Sequence, residues 1–561
     1  MQIWQKLFAT VVGLGVLSGL IAMAPLSLWS DKGMVAADHP LASQVGAKIL
    51  LRGGNAVDAT IATVLAAGIA QPAGSGLGGG GFALVQRASD PAFVLDFRER
   101  APLLAQQEMF VQSSREKASR LGGLAVAIPN EANGLLELHQ RYGHLSLKQT
   151  VQPAVQLAKE GFLIGGHLLK GMEKLESLDV QKALSQSLWN LSDVPNQHSH
   201  LSNQRLADTI QSWAKSQGSV FQTGWVAQDI VDAVQADGGI LSMEDMAQVA
   251  PKIREPLTGK YRGWTVMTMP PPSSGGLVLL QVLAVLEGYD IANMGQNSSE
   301  LLHLYAESFQ HAYADRANFM GDPDRIEVPV QRLLDEKRIT EIRQQFQSQS
   351  TQGADFYGTA IDIGQDAGTE HIAVVDANGL SVSLTTTINT EFASRLVAPK
   401  SGILLNNEMD DFVAEPGKPN YYGLIGSYAN SVAPMAVPLS SMTPTILLSP
   451  DGSKRIVIGA SGGPLIISST LQVIVNLIDF EMEPSQAVSR GRIHHQWQPQ
   501  KLFIDDEIPL DVRENLMKKG HILADMPLHA SVQVIVCEEQ TCLAASDPRK
   551  SGEPASPISI K

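Results

Sequence analysis

One stretch restricts this chain more than any other: Gly368 to Asn389, reading GTEHIAVVDANGLSVSLTTTIN. His371–Val375 and Ser381–Ile388 are β-branched or apolar runs around Asp376-Ala377-Asn378-Gly379, a turn signal that predicts a β-hairpin. With a three-residue loop, Ala377–Gly379, and Gly379 as its left-handed residue, Thr369 falls opposite Thr387 and Asn389 lies one diagonal step away. A shift of one residue would turn Thr387 to the far face. A connector rich in Gln, Ser, Gly and Asp, Gln344–Gly368, runs straight into this hairpin, and its weakly apolar composition predicts few core contacts. If the backbone breaks before Thr369, the residue gains an α-amine, with an intrinsic pKa of roughly 7.7 to 8.0, beside its hydroxyl. One residue would then carry both nucleophile and base. The same letters also fit an ordinary hairpin, rich in threonine because threonine favours strands.

A chain of 561 residues with 44% hydrophobic content can bury a large core. Its 57 acidic against 42 basic residues give a net charge of −15, with no basic block, which argues against nucleic-acid binding. Lys6 followed by an apolar run from Leu7 to about Pro25 reads as a secretory leader, or as an uncleaved membrane anchor. Ala22-Met23-Ala24 offers a small-x-small cleavage site, although Pro25 after it is a poor neighbour. Either way the remainder is exported. The two cysteines, Cys537 and Cys542, flank a short polar turn and read as a disulfide across a hairpin or as two separate thiols.

Leu41–Ala70 predicts two helices split by Gly53-Gly54, the second capped by Asn55. The glycine cluster Gly74–Gly81 leads into a strand Phe82–Gln86. Helix, loop, strand is the wrong order for a dinucleotide fingerprint, so these glycines read as places of close backbone approach. A mostly helical region follows from about Glu131 to Gln347, including helices from about Leu277 and over Ser299–Phe319. Beyond Thr369 the pattern turns to strands: Pro444–Leu448, Ile456–Gly459, Val532–Cys537 and Leu543–Ala545. Helices Leu465–Ile478 and Leu510–Lys518 lie between them. Helices and strands in these proportions fit two stacked sheets covered by helices.

From Met34 to the C-terminus the chain resembles the γ-glutamyltransferases, or glutathione hydrolases, of the bacterial periplasmic type. The blocks that carry the resemblance are GMVAADHPLASQVGAKILLRGGNAVDA from Gly33, LGGGGF from Leu77, DFRERAP from Asp96, PPPSSGG from Pro270, YADRANFMGDPD from Tyr313, SGILLNNEMDDF from Ser401, PLSSMTPT from Pro438, RIHHQW from Arg492 and SDPR from Ser546. The resemblance implies an α+β fold, the four-layer αββα sandwich of N-terminal nucleophile hydrolases. It implies a leader over residues 1–30, a large subunit 31–368 and a small catalytic subunit 369–561 that begins with Thr369, the two pieces staying together as a heterodimer. It also implies self-cleavage at Gly368-Thr369, then a γ-glutamyl ester on Thr369 passed to water or to an amino-acid or peptide acceptor, with glutathione or another γ-glutamyl compound as donor and no cofactor or metal.

By the same resemblance Thr387 bonds the nucleophile, and the backbone amides of Gly462 and Gly463 take the oxyanion. Arg98, Ser440 and Ser441 hold the donor's carboxylate, while Asn389, Glu408 and Asp411 hold its ammonium. Pro416–Gly426 resembles a lid with Tyr422 as its gate. Some letters depart from the family. Glu370 follows the nucleophile where a small residue or threonine is usual, Ala373 replaces a usual serine, and Ala393-Ser394-Arg395 replaces a glycine-containing turn. A buried carboxylate without compensation costs several kcal/mol, so Glu370 requires a partner or an exposed position. His494-His495 lacks zinc-site spacing, and His371 reads as a hydrogen-bonded strand residue. Two other readings remain: an acylase of the same fold acting on another side-chain amide, and an exported binding protein that never processes.

Overall fold

The computed structural model describes residues 27–87, 90–358, 368–413, 420, 421, 423, 424, 426–526 and 530–557. The leader, apart from its last residues, and Tyr422 lie outside these. Two antiparallel sheets form the centre. The six-stranded sheet runs Gly33–Ala37, Glu370–Asp376, Ser381–Thr387, Gly80–Gln86, Phe93–Phe97, Lys252–Arg254. The seven-stranded sheet runs Leu28–Ser30, Thr541–Ser546, Ser531–Glu538, Lys454–Ser461, Thr445–Leu448, Trp264–Thr268, Leu257–Tyr261. Each sheet therefore interleaves strands from before and after Thr369. Leu28–Ser30, at the end of the span assigned to the leader, forms an edge strand against Cys542–Ala544.

Strand periodicity explains the layering, because successive side chains point to opposite faces. In the six-stranded sheet Val35, Ile372, Val374, Val382 and Leu384 join a core with helices Pro40–Leu51, Ala56–Ala70 and Leu147–Glu160. Their neighbours Met34, Ala36, Ala373 and Val375 face the other way, into a core shared with Ile446, Val457, Ile458 and Val534 of the second sheet. Helices Gly275–Leu286, Ser299–Phe319 and Leu465–Ile478 pack on this second core. The result is the expected αββα sandwich. The second helix, Ala56–Ala70, starts with the predicted Asn55 cap, in a reciprocal box with Asp58.

The predicted hairpin register is the observed one. Glu370 pairs with Thr386 and Val375 with Ser381, and Gly379, at φ +79°, closes a three-residue loop. Cys537 and Cys542 face each other across their hairpin and are joined by a disulfide.

The region from Glu131 to Gln347 is mostly helical as expected, with three strands that were not foreseen: Lys252–Arg254 and Leu257–Tyr261 are edge strands, one in each sheet, and Trp264–Thr268 lies between Leu257–Tyr261 and Thr445–Leu448. Edge strands are half-exposed and carry a weak apolar alternation, which hides them in sequence. The connector before Thr369 is also tied down through much of its described length. Tyr357 is buried and its hydroxyl donates to Glu307 at 2.6 Å, Trp497 donates to the Ala354 carbonyl at 3.0 Å, and His303 meets the Gln347 carbonyl at 2.8 Å. Its composition is polar, but a few aromatic and polar anchors are enough to dock it.

Candidate active site

Thr369 sits buried at the entry to the central hairpin. Its Oγ1 donates to the carbonyl oxygen of Gly368 at 2.5 Å and lies 3.3 Å from Thr387 Oγ1. Thr387 Oγ1 donates to the same carbonyl at 2.8 Å and accepts from the Asn389 amide at 2.8 Å. Two hydroxyls thus converge on one peptide group, which is the geometry required to polarise it. Gly368 permits this approach, because a Cβ there would lie 2.7 Å from the Thr390 carbonyl and 2.9 Å from that of Ala73. The glycines upstream allow the same crowding: a Cβ on Gly79 would lie 1.9 Å from the Thr387 carbonyl oxygen.

A narrow pocket opens in front of Thr369, lined by Thr387, Asn389, Arg98, Glu408, Asp411, Ser440, Ser441 and Gly463, with Leu424, Leu439, Met442, Pro464 and Ile466 as apolar walls. Residues from stretches far apart in the sequence meet here. Arg98 follows strand Phe93–Phe97, and its backbone amide is held by Asp96 at 3.1 Å. Glu408 and Asp411 lie on a single turn of 3₁₀ helix, set in place by Asn406, whose side chain bonds the carbonyls of Gly78 and Ala127 at 2.7 and 2.9 Å. Gly462 and Gly463 take φ +127° and +56° where strand Lys454–Ser461 turns into helix Leu465–Ile478. Gly462 stands one residue behind the lining, and a Cβ on it would lie 2.6 Å from Ala530 Cα.

Arg98 is buried and pairs with Glu408, with Asp411 at 2.6 Å and with Glu99 at 3.8 Å. Despite its burial these acids raise its pKa further, so it stays charged. Burial pushes the Glu99 carboxyl up to about 7, with Arg98 opposing, and burial drives Glu408 well above the usual carboxylate range. Arg98, with Arg316 also acting on Asp411, does not bring Glu99 or Glu408 back to the usual carboxylate range. The pocket thus presents a guanidinium and carboxyl groups side by side, chemistry for both signs of charge.

The structure brings together Thr369, Thr387, Asn389, Arg98, Glu408, Asp411, Ser440, Ser441 and Gly463. His371 is buried, bonds Thr385 at 2.9 Å and is held down at about 3 by burial, as expected of a strand residue. His494 and His495 are likewise buried, bonded to Ser468 and to the Trp497 amide. Glu370 is buried and finds its required partner in Lys550, 3.6 Å away. Reading the sequence missed Lys550, Asp38 and Glu99. Asp38 and Glu99 lie inside the family-like blocks, but nothing local marks them as neighbours of Thr369.

Two stacked antiparallel sheets, with a threonine at the start of a central strand and its hydroxyl on the preceding carbonyl, define an N-terminal nucleophile hydrolase. The sequence comparisons narrow the class. The family model for gamma-glutamyltranspeptidase matches residues 42–556, and the chain belongs to that family. It is 37% identical over 530 residues to the glutathione hydrolase proenzyme of Escherichia coli strain K12, covering 93% of this chain and 91% of that one. It is 34% identical to the Pseudomonas aeruginosa glutathione hydrolase proenzyme, covering 98% and 99%. Among solved structures it resembles the cephalosporin acylase from Bacillus halodurans, with TM-score 0.82 and 26% identity over 94% of this chain and 96% of that one. The Helicobacter pylori gamma-glutamyltranspeptidase matches with TM-score 0.54 and 33% identity over 59% of this chain and 94% of that one.

Proposed function

We propose that this chain is a glutathione hydrolase and γ-glutamyltransferase made as a proenzyme and cut by itself between Gly368 and Thr369. The observation that carries the reading is the Thr369 hydroxyl on the Gly368 carbonyl, at the mouth of a pocket lined by Arg98, Glu408 and Asp411. In maturation Thr369 Oγ1 adds to the Gly368 carbonyl carbon, and Thr387 steadies the oxygen as it gains charge. The C–N bond then breaks, its nitrogen takes a proton and becomes the Thr369 amine, and water hydrolyses the resulting ester. Residues 31–368 and 369–561 remain interleaved as two subunits, because each sheet holds strands of both.

In the mature site the Thr369 amine takes the hydroxyl proton as Oγ1 attacks the γ-amide of the donor. In this reading the amides of Gly462 and Gly463 serve the oxyanion, where a lost donor costs about 3–4 kcal/mol. The amine of the cleaved peptide leaves, and water or an amino-acid or peptide acceptor releases the γ-glutamyl ester. The disulfide supports an oxidising compartment, and with the apolar N-terminal run it favours a periplasmic or secreted enzyme.

The likeness to a cephalosporin acylase favours a second reading, an acylase on another side-chain amide. A donor without an ammonium group adds no cation beside Glu408 and Asp411, which outnumber the Arg98 they share, and this favours the first. The test is N-terminal sequencing of the smaller fragment, with release from a γ-glutamyl anilide by wild type and by Thr369→Ala. The proposal expects a fragment beginning at Thr369 and no release by the variant. Release that survives the substitution sinks it, and turnover of a glutaryl but not a γ-glutamyl anilide selects the acylase.

A further inference from the structure

Beneath Thr369, outside the pocket lining, lies a second buried group of charges. Lys550 is 9% exposed and uses all three donors of its ammonium. One goes to the Thr369 carbonyl at 2.7 Å, one to Ser461 Oγ at 2.8 Å and one to Asp38 Oδ2 at 3.4 Å. Glu370 Oε1 lies 3.6 Å from the same nitrogen and fills the space left by Gly74, where a Cβ would stand 2.6 Å from it. Asp38 is anchored in turn by the His371 amide at 3.1 Å and by Gln533 at 2.5 Å. Ser461 immediately precedes Gly462-Gly463, so one ammonium is bonded both to the nucleophile residue and to the segment that the functional reading assigns to the oxyanion.

We propose that Lys550 is a positioning residue for the reaction: it clamps Thr369 against the Ser461–Gly463 turn, and its charge keeps the amine of the matured Thr369 in the proton-accepting form. This rests on the functional reading above. A cation beside an amine disfavours the amine's protonation. Lys550 bonds the carbonyl of the residue that bears that amine, so its charge acts at short range.

The rest of the surroundings leave this charge in place. Burial, with Lys550 opposing and Asp38 adding, drives the Glu370 carboxyl well above its usual range, which leaves Asp38 as the principal carboxylate facing Lys550. Asp38 stays below the usual range despite its burial, held there by Lys550 and Ser461, and forms the compensating pair. The other groups whose charges act around the cluster are Glu391, His39, His167 and His371, with Lys170 and Lys174 beyond His167. Burial holds the three histidines at about 4, 3 and 3, so they remain neutral while the amine titrates.

The test compares wild type with Lys550→Met and with the charge-balanced pair Asp38→Asn/Lys550→Met, using Thr369→Ala as control. Fragment formation is followed on gels, and kcat and KM of the matured fraction are measured on a γ-glutamyl anilide across pH. Losing a charged hydrogen bond should slow maturation and lower kcat about 10- to 100-fold with KM changed less than about 3-fold. The acid limb of kcat/KM should move up by about one pH unit in Lys550→Met, and by less in the double variant. An acid limb and kcat both equal to wild type, with Thr369→Ala inactive, overturn the proposal and leave the functional reading standing. A folded precursor with a cooperative melt that stays in one piece supports the clamp. Loss of a cooperative melt in both variants assigns Lys550 to folding alone and overturns it. Release by Thr369→Ala would instead defeat the functional reading.

Discussion

The two charge clusters on either side of Thr369 are built from similar parts and do different work. In front, Arg98 is paired with Glu408 and Asp411 beside the still more buried Glu99. Behind, Lys550 is paired with Asp38 and Glu370. Each sets one cation directly against carboxylates, with Arg316 also acting on Asp411 in front, and each is nearly excluded from water. The difference is access and shape: the front cluster lines a pocket, and its planar guanidinium can take a carboxylate in a bidentate grip. The rear cluster uses a point charge with three donors to hold two backbone segments. A binding site and a scaffold joint are thus told apart by what they face, not by their composition.

Four experiments test or sharpen that contrast. The largest effect is expected for Arg98→Gln, which removes the donor's carboxylate partner and leaves buried acids uncompensated, at about 3–5 kcal/mol. It should raise KM for the γ-glutamyl anilide by at least about 100-fold; an unchanged KM would place donor binding elsewhere. Next, Thr387→Val keeps the shape and removes the hydroxyl from the scissile carbonyl. Maturation, timed on gels, should slow by about 100- to 1,000-fold.

Third, the front cluster should make stability fall with pH. Glu99 in the folded chain holds its proton to about 7, whereas the unfolded carboxyl releases it near 4.5. The folded state therefore binds more protons between those values, and its advantage shrinks as pH rises through that window, by on the order of 3 kcal/mol. Glu99→Gln should flatten the decline of Tm between about pH 5 and pH 8; an equal decline in both proteins would remove Glu99 as its cause. The smallest effect is expected at the rim of the second sheet, where Cys537→Ser/Cys542→Ser opens a short loop worth about 2 kcal/mol in chain entropy. It should lower Tm and leave kcat and KM unchanged.

Much of the centre was legible because its signals are local. Asp376–Gly379 marked the turn; a three-residue loop, chosen partly for the chemistry it allows, set the expected register, and the observed pairing has that register. The helices Leu465–Ile478, Leu510–Lys518 and Ser299–Phe319 follow apolar periodicity and match residue for residue. The edge strand Leu257–Tyr261 and its neighbour Trp264–Thr268 were not legible, since strands near an edge are set by distant neighbours and carry little apolar alternation of their own. The docking of residues 346–358 escaped for a related reason: Tyr357 and Ala354 are held by Glu307 and Trp497, which are distant in the chain.

What the sequence determined alone was the hairpin, its register and, through the family-like blocks, the roster of residues around the nucleophile. Only the tertiary structure decided which charges meet. Glu370 read as a departure in need of a partner, and nothing in the letters around Lys550 marks it as that partner. Packing strand Gly33–Ala37 beside strand Glu370–Asp376 and against the C-terminal segment at Ala555 brings Asp38, Glu370 and Lys550 within one ammonium's reach. The physical reason is range: turns and periodicity act over a few residues, whereas the compensation of buried charge depends on whatever the fold places within a few ångströms.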